Sequence, residues 1–174
     1  MKAKENKSTL EKLAPSDFSG LELVDFFPYQ VRIFYRAVTN AMAQVYGPMY
    51  NLSISEWRVM AVLSPNHTLS ASEIVKRSSM TKVNVSRATI SMQKRGLLKR
   101  DIDGNDKRYA ALRLTERGTQ VFKDLRPYIS ELENDLFTGL TAQETQLLVS
   151  LMEKVRSNAE KFVSDHPELS PNRD

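Results

Sequence analysis

The chain has 174 residues and no cysteine. That excludes a disulfide framework, a thiolate metal site and a cysteine redox switch. Histidine is nearly as scarce. His67 falls in an expected loop and His166 near the C-terminus, with no Cys to join either. Neither a metal ion nor a cofactor is expected. No apolar run approaches the roughly 18 to 20 residues of a membrane span. The opening MKAKENKSTLEK mixes both charge signs, unlike a secretory signal or a transit peptide. The expectation is therefore a cytoplasmic protein. There is no Gly-rich phosphate loop and no nucleophile elbow, and the carboxylates lie mostly at helix caps and on polar faces. An enzyme is not expected.

What the chain does contain is an ordinary globular mixture, 41% apolar and 26% charged, at a length that suits one domain. The net charge of +4 is unevenly placed. From Lys76 to Arg113 there are eleven Lys or Arg against three Asp, a net +8, which leaves −4 for the remainder. A cationic segment in an otherwise mildly acidic protein points to a polyanion as partner.

Periodicity and punctuation order the chain. Residues 1–26 read as a flexible N-terminal extension, and 164–174 as a polar, disordered tail. Pro28 opens a long helix whose apolar face is Val31, Phe34, Tyr35, Val38, Met42 and Val45, with Gly47-Pro48 as its stop. Ser53-x-x-Glu56 and Ser70-x-x-Glu73 are capping boxes that start two short helices. A turn at Ser78-Ser79-Met80 follows, and Thr81 caps a third helix that stops at Gly96. Leu97–Asp101 and Tyr109–Leu114 then pair as a hairpin with Asp103-Gly104-Asn105-Asp106 at its tip. Thr115 caps a long helix to about Gly139, which Pro127 should kink or break. Thr141-x-x-Glu144 starts the last helix, with Leu147, Leu148, Leu151 and Val155 as its stripe.

This order predicts a mainly α (α+β) fold. Residues 51–115 form a winged helix-turn-helix with a two-stranded β-hairpin wing. Residues 27–50 and 116–163 form a helical dimerisation region, because long terminal helices with apolar faces around a small binding module commonly pack on a second copy.

The helix from Lys82 to Arg95 carries the chemistry. Val85, Ala88 and Met92 make a core-facing stripe, while its first two turns hold Lys82, Val83, Asn84, Ser86 and Arg87. A recognition helix needs such groups there. Asn pairs with adenine, Arg or Lys with guanine, Ser with bases or phosphates, and Val meets a thymine methyl. The same residues also fit a solvated face with nothing to bind. Ser70 and Ser72, where the preceding helix begins, join the candidate DNA-binding set, as do Asn105, Lys107 and Arg108 at the hairpin tip. Asp106 is expected to hold the Arg108 guanidinium in a salt bridge.

A second cluster suggests a small ligand. Arg32 and Arg36 share a helix face near Tyr29 and Ile33, and Arg58 follows Trp57. Aromatic rings among arginines suit an aromatic acid or another anion. Core packing for Trp57, and carboxylates of a partner subunit for the arginines, suit the same residues.

LSISEWRVMAVL, LSASEIV, NVSRATISMQKRGLLKR and DKRYAALRLTERG resemble the MarR family of bacterial transcription regulators. The most specific element is Asp106-x-Arg108 followed by Leu114-Thr115-x-x-Gly118. The resemblance extends from Pro28 to Val163. It implies a homodimer on a pseudo-palindromic operator of double-stranded DNA, with Asn84, Ser86 and Arg87 at recognition-helix positions and Arg108 as the wing arginine. Thr81 departs from the acidic residue often found after the position of Met80. YGPMYNLSISEWRVMAVL looks most like members controlling aromatic-compound catabolism, which implies a repressor released by a phenolic acid or its CoA thioester. The alternative is a winged-helix protein-interaction module without a ligand response.

Overall fold

A computed structural model of the chain describes residues 22–65, 67–102 and 110–169. They divide into two compact units. One is Val31–Leu136, and the other comprises the described parts of Met1–Gln30 and Phe137–Asp174. The helices are α1 (Phe27–Tyr50), α2 (Ile54–Leu63), α3 (Ala71–Ser78), α4 (Lys82–Lys94), α5 (Glu116–Leu136) and α6 (Ala142–Asp165). The strands are β1 (Leu69–Ser70), β2 (Leu98–Ile102) and β3 (Ala110–Leu114). Short 3-10 turns lie at Leu23–Asp25 and Pro167–Leu169. Among the described residues no helix is long and apolar enough to cross a membrane.

The helix starts follow local rules. Ser53, Ser70 and Thr141 each accept from a backbone N–H three residues on, and the Glu at that place reaches back to the cap N–H. Thr81 accepts from the Asn84 N–H at 3.2 Å. Gly96, at φ 68, ends the chain's path out of α4 in a conformation that suits glycine.

Three expectations need correction. First, α1 does not stop at Gly47-Pro48 but runs through both to Tyr50. Its end is Asn51, left-handed at φ 49, whose N–H bonds the Gly47 carbonyl at 2.7 Å. Tertiary contacts hold that last turn. The Tyr50 hydroxyl donates to Asp124 of α5 at 2.7 Å, and the Arg95 guanidinium donates to the Tyr50 and Asn51 carbonyls. Second, α5 is continuous through Pro127, although a proline there removes one helix hydrogen bond. Val121 and Leu125 before it, and Ile129 after it, pack on the same core, so both halves are fixed to one wall. The helix also ends at Leu136, short of Gly139. Third, the sheet has three strands in the order β1-β3-β2, all antiparallel. The hairpin is present, and Leu69–Ser70 adds a strand too short to show any periodicity. Within the stretch expected to be disordered, α6 continues to Asp165 and a 3-10 turn follows at Pro167–Leu169.

The core of the Val31–Leu136 unit joins α2, α3, α4, the sheet and the first half of α5. Val59, Met60, Leu63, Ile74, Met92 and Leu125 lie fully inside it. The lower half of α1 packs here through Tyr46, Met42 and Val45, whereas Val31, Phe34 and Tyr35 of the same stripe are exposed. Of the apolar stripe of α6, Leu147, Leu151 and Val155 are exposed and Leu148 is half-buried, and no α6 residue is buried.

Candidate nucleic-acid interface

The two faces of α4 separate as their chemistry requires. Val85, Ala88, Thr89 and Met92 are buried, while Lys82, Val83, Asn84, Ser86 and Arg87 are all exposed. Thr89, which looks polar in the sequence, turns its hydroxyl to the Ser86 carbonyl at 3.0 Å and keeps its methyl inside. The expected reading residues therefore share one open surface on a helix that is locked to the core behind them. Ser72 is exposed beside them at the start of α3. Ser70 is different: its hydroxyl accepts from the Glu73 N–H and donates to the Glu73 carboxylate, so the cap occupies it. Asn105, Asp106, Lys107 and Arg108, with the expected Asp106–Arg108 bridge, lie outside the described residues.

Not every cation in the basic segment faces outward unpaired. Arg113 bonds Asp101 across the hairpin. Arg95 bonds Glu56 at 3.3 Å. Glu56 is only 5% exposed, and its carboxylate accepts from three donors, the Ser53 N–H at 2.8 Å, the Ser91 hydroxyl at 2.7 Å and Arg95, while its own N–H donates to the Ser53 hydroxyl. Burial pushes its pKa up, but the hydrogen bonds from Ser53 and Ser91 and the Arg95 charge outweigh that and hold it below the usual carboxylate range. Glu56 thus does more than cap α2. It fastens the middle of α4 through Ser91 and, through Arg95, joins α4 to the end of α1.

The expected ligand cluster is only partly assembled. Trp57 stacks between Tyr46 (centroids 5.7 Å apart) and Phe122 (6.0 Å) as a wall of the core. Arg58 donates to the Tyr35 hydroxyl at 2.7 Å, a pairing of α2 with α1 that spacing alone did not select. The Tyr46 hydroxyl titrates above its ordinary range, mainly because burial disfavours the phenolate. Arg32 and Arg36 are exposed, Ile33 is half-buried, and among the described residues neither arginine forms an ion pair. Tyr29 belongs to the other unit. Among the described residues no three His, Asp or Glu converge as a metal site.

Residues 50–108 match the sequence profile of the MarR family. The chain is 26% identical over 157 residues to the uncharacterised helix-turn-helix-type transcriptional regulator YwaE of Bacillus subtilis, covering 89% of this chain and 91% of that one. It superposes on a MarR/EmrR family transcriptional regulator from Acinetobacter sp. ADP1 with a TM-score of 0.74 at 21% identity, covering 81% of this chain and 99% of the other. A second structure is BpsR of Bordetella bronchiseptica, whose DNA binding is regulated by 6-hydroxynicotinic acid. Its TM-score is 0.67 at 22% identity, covering 74% of this chain and 97% of BpsR. These relatives are transcription regulators, not enzymes.

Proposed function

We propose that this chain, whose residues 50–108 match the profile of the MarR family, is a sequence-specific repressor that a small aromatic or anionic ligand releases from DNA. The observation that carries the DNA reading is the outward face of α4, where Lys82, Val83, Asn84, Ser86 and Arg87 are exposed together beside a basic hairpin. Two of them carry fixed charge for phosphates or guanine, and the uncharged ones are the right length for base edges.

The active form is a homodimer on a pseudo-palindromic operator. A 24-residue helix with no buried residue, and with Leu147, Leu151, Val155 and Phe162 each more than two-fifths exposed, leaves an apolar stripe that water solvates poorly. Within the other unit, Val31, Phe34 and Tyr35 of α1 are likewise exposed. Light scattering at micromolar concentration should give about twice the 19.8 kDa chain mass. A value near the monomer would remove the dimer from this account.

The effector reading rests on Arg58 with Tyr35, on Arg32 and Arg36 nearby on α1, and on the response of BpsR to an aromatic acid. A carboxylate meets a guanidinium fork, and an aromatic ring meets apolar side chains.

One experiment tests both parts. The full chain is used to select a duplex from a random-sequence pool, and binding is followed by fluorescence anisotropy. Arg87→Ala should weaken binding about tenfold or more, in line with the loss of one base-reading arginine, and Arg108→Ala should weaken it too. If both variants, still folded, bound like the parent, the DNA assignment would fail. A panel of aromatic acids, including 6-hydroxynicotinic acid, and of aryl-CoA thioesters should then release the parent from DNA, with the response lost in Arg32→Ala or Arg36→Ala. Release by none of them would favour a winged-helix protein without ligand response.

A further inference from the structure

We propose that Arg100 of β2, together with Gln93 of α4, grips the DNA backbone that runs along one flank of the recognition helix. The proposal rests on the DNA-binding reading above and assigns a role to residues outside the reading face.

Strand alternation sorts the cations of the hairpin into two sets. Leu98 pairs opposite Leu114 and Arg100 opposite Leu112. Leu98, Leu112 and Leu114 are all buried, so Arg100 projects from the face of the sheet that covers the core. Lys99 and Asp101 project from the other face, opposite Arg113 and Ala111. Arg113 is already bonded to Asp101 on that outer face, and Lys99 and Arg113 line a different cleft with the start of α5.

Arg100 leaves the core face where α4 passes. There it lines an open groove of about 370 Å³ with Ser72, Lys82, Ser86, Ile90 and Gln93. One wall of that groove is the reading helix itself, another is the hairpin, and the start of α3 closes it at Ala71, Ser72 and Val75. A helix lying in the major groove has a phosphate backbone on each flank. A hairpin standing beside such a helix encloses one of those backbones in the space between. Among the described residues, Arg100 and Lys82 are the cations in this groove, and neither forms an ion pair. Gln93, two turns beyond Ser86 on the same side, offers an amide donor farther along the same strand of DNA. The alternate-residue position of Arg100, two after a buried leucine, would have marked it in the sequence only if the register were known.

The test uses the full chain, its selected duplex and a scrambled duplex, with salt varied from about 50 to about 200 mM. In Arg100→Ala the slope of log affinity against log salt should fall by about 0.9 for each subunit bound, one phosphate contact each. The loss should be equal on both duplexes. Arg100→Lys should keep the parental slope, and Lys99→Ala, on the outer face, should leave it unchanged. Arg87→Ala serves as the base-reading comparison and should lose discrimination between the duplexes. A parental slope in Arg100→Ala, with discrimination still lost in Arg87→Ala, would overturn the groove assignment and leave the DNA reading standing. A loss of discrimination in Arg100→Ala would make it a base reader and overturn the proposal as well. Absence of salt-dependent binding by the parent would remove the DNA reading and this inference together.

Discussion

Gly118→Ala should lower the thermal midpoint of the chain by about 6 to 12 °C, a loss of about 3 kcal/mol or more. A Cβ at Gly118 would lie 2.0 Å from the Leu97 carbonyl oxygen and 3.0 Å from its carbon. Both are backbone atoms, and both sides of the contact are pinned. The Thr115 N–H donates to the same Leu97 oxygen at 3.1 Å, the Thr115 hydroxyl donates to the Gly96 carbonyl at 2.7 Å, and the Gly118 N–H donates to that hydroxyl at 3.0 Å. An ordinary carbon–oxygen contact is about 3.3 Å, so α5 or the start of β2 must move by more than 1 Å. Alanine gains about 1 kcal/mol over glycine in a helix, which the clash exceeds. The change also separates the end of α4 from the hairpin, so DNA affinity should fall with stability. Gly47→Ala is the matching control. Nothing lies within 4 Å of its added Cβ, and helix propensity alone should raise stability by up to about 1 kcal/mol. Circular dichroism melts of the two variants check both signs, and a parental midpoint for Gly118→Ala would refute the close-packing argument.

Glu56→Ala should destabilise the chain by about 3 kcal/mol, because it removes a cap and leaves the partners of a buried carboxylate unmatched. Ser91 loses its acceptor, the Ser53 N–H loses its own, and the Arg95 guanidinium keeps only the Tyr50 and Asn51 carbonyls. Glu56→Gln should cost less. Its amide oxygen can serve one side of the site, but its NH2 must then face a donor, either the Ser53 N–H or Ser91 with Arg95. The pH dependence has a defined sign. The folded pKa of Glu56 lies below its unfolded value of about 4.3, so its contribution is complete above that pH and is lost as pH falls through the lower, folded value. Glu73 and Glu144, held low chiefly by the N–H groups of Ser70 and Thr141, add acid sensitivity in the same window. Urea titrations at neutral pH and near pH 3 should show the parent losing more stability than Glu56→Gln. Equal losses would exclude Glu56 as a source of the acid dependence. Because Glu56 and Arg95 tie α4 to the end of α1, Glu56→Gln should also weaken DNA binding more than its loss of stability explains.

How far these sites could be seen in advance depended on the distance between the groups that make them. The caps at Ser53, Ser70, Thr81 and Thr141 each involve residues three apart, and the sequence alone located all four. The division of α4 into a buried stripe and an open polar face follows from the 3.6-residue period, which is equally local. The hairpin and the mainly helical winged-helix order were legible for the same reason. The misreadings came where a distant contact overruled a local signal. Proline at 48 and 127 marks a helix break in an isolated segment, but anchors on Asp124, Arg95 and the core keep both helices continuous through it.

The sequence by itself determined the fold class, the helix starts and the face of α4 that meets solvent, because each depends on residues within one or two turns. Only the tertiary structure decided the partner of Glu56, 39 residues away at Arg95, the aromatic stack of Tyr46, Trp57 and Phe122, and the third strand at Leu69–Ser70. It also decided which side of the hairpin each arginine takes. That depends on strand register, and a slip of β2 by one residue would send Arg100 away from the groove and turn Lys99 and Asp101 toward the core face. Register is fixed by the leucines that the sheet buries against α3 and α4, which no stretch of the chain specifies on its own.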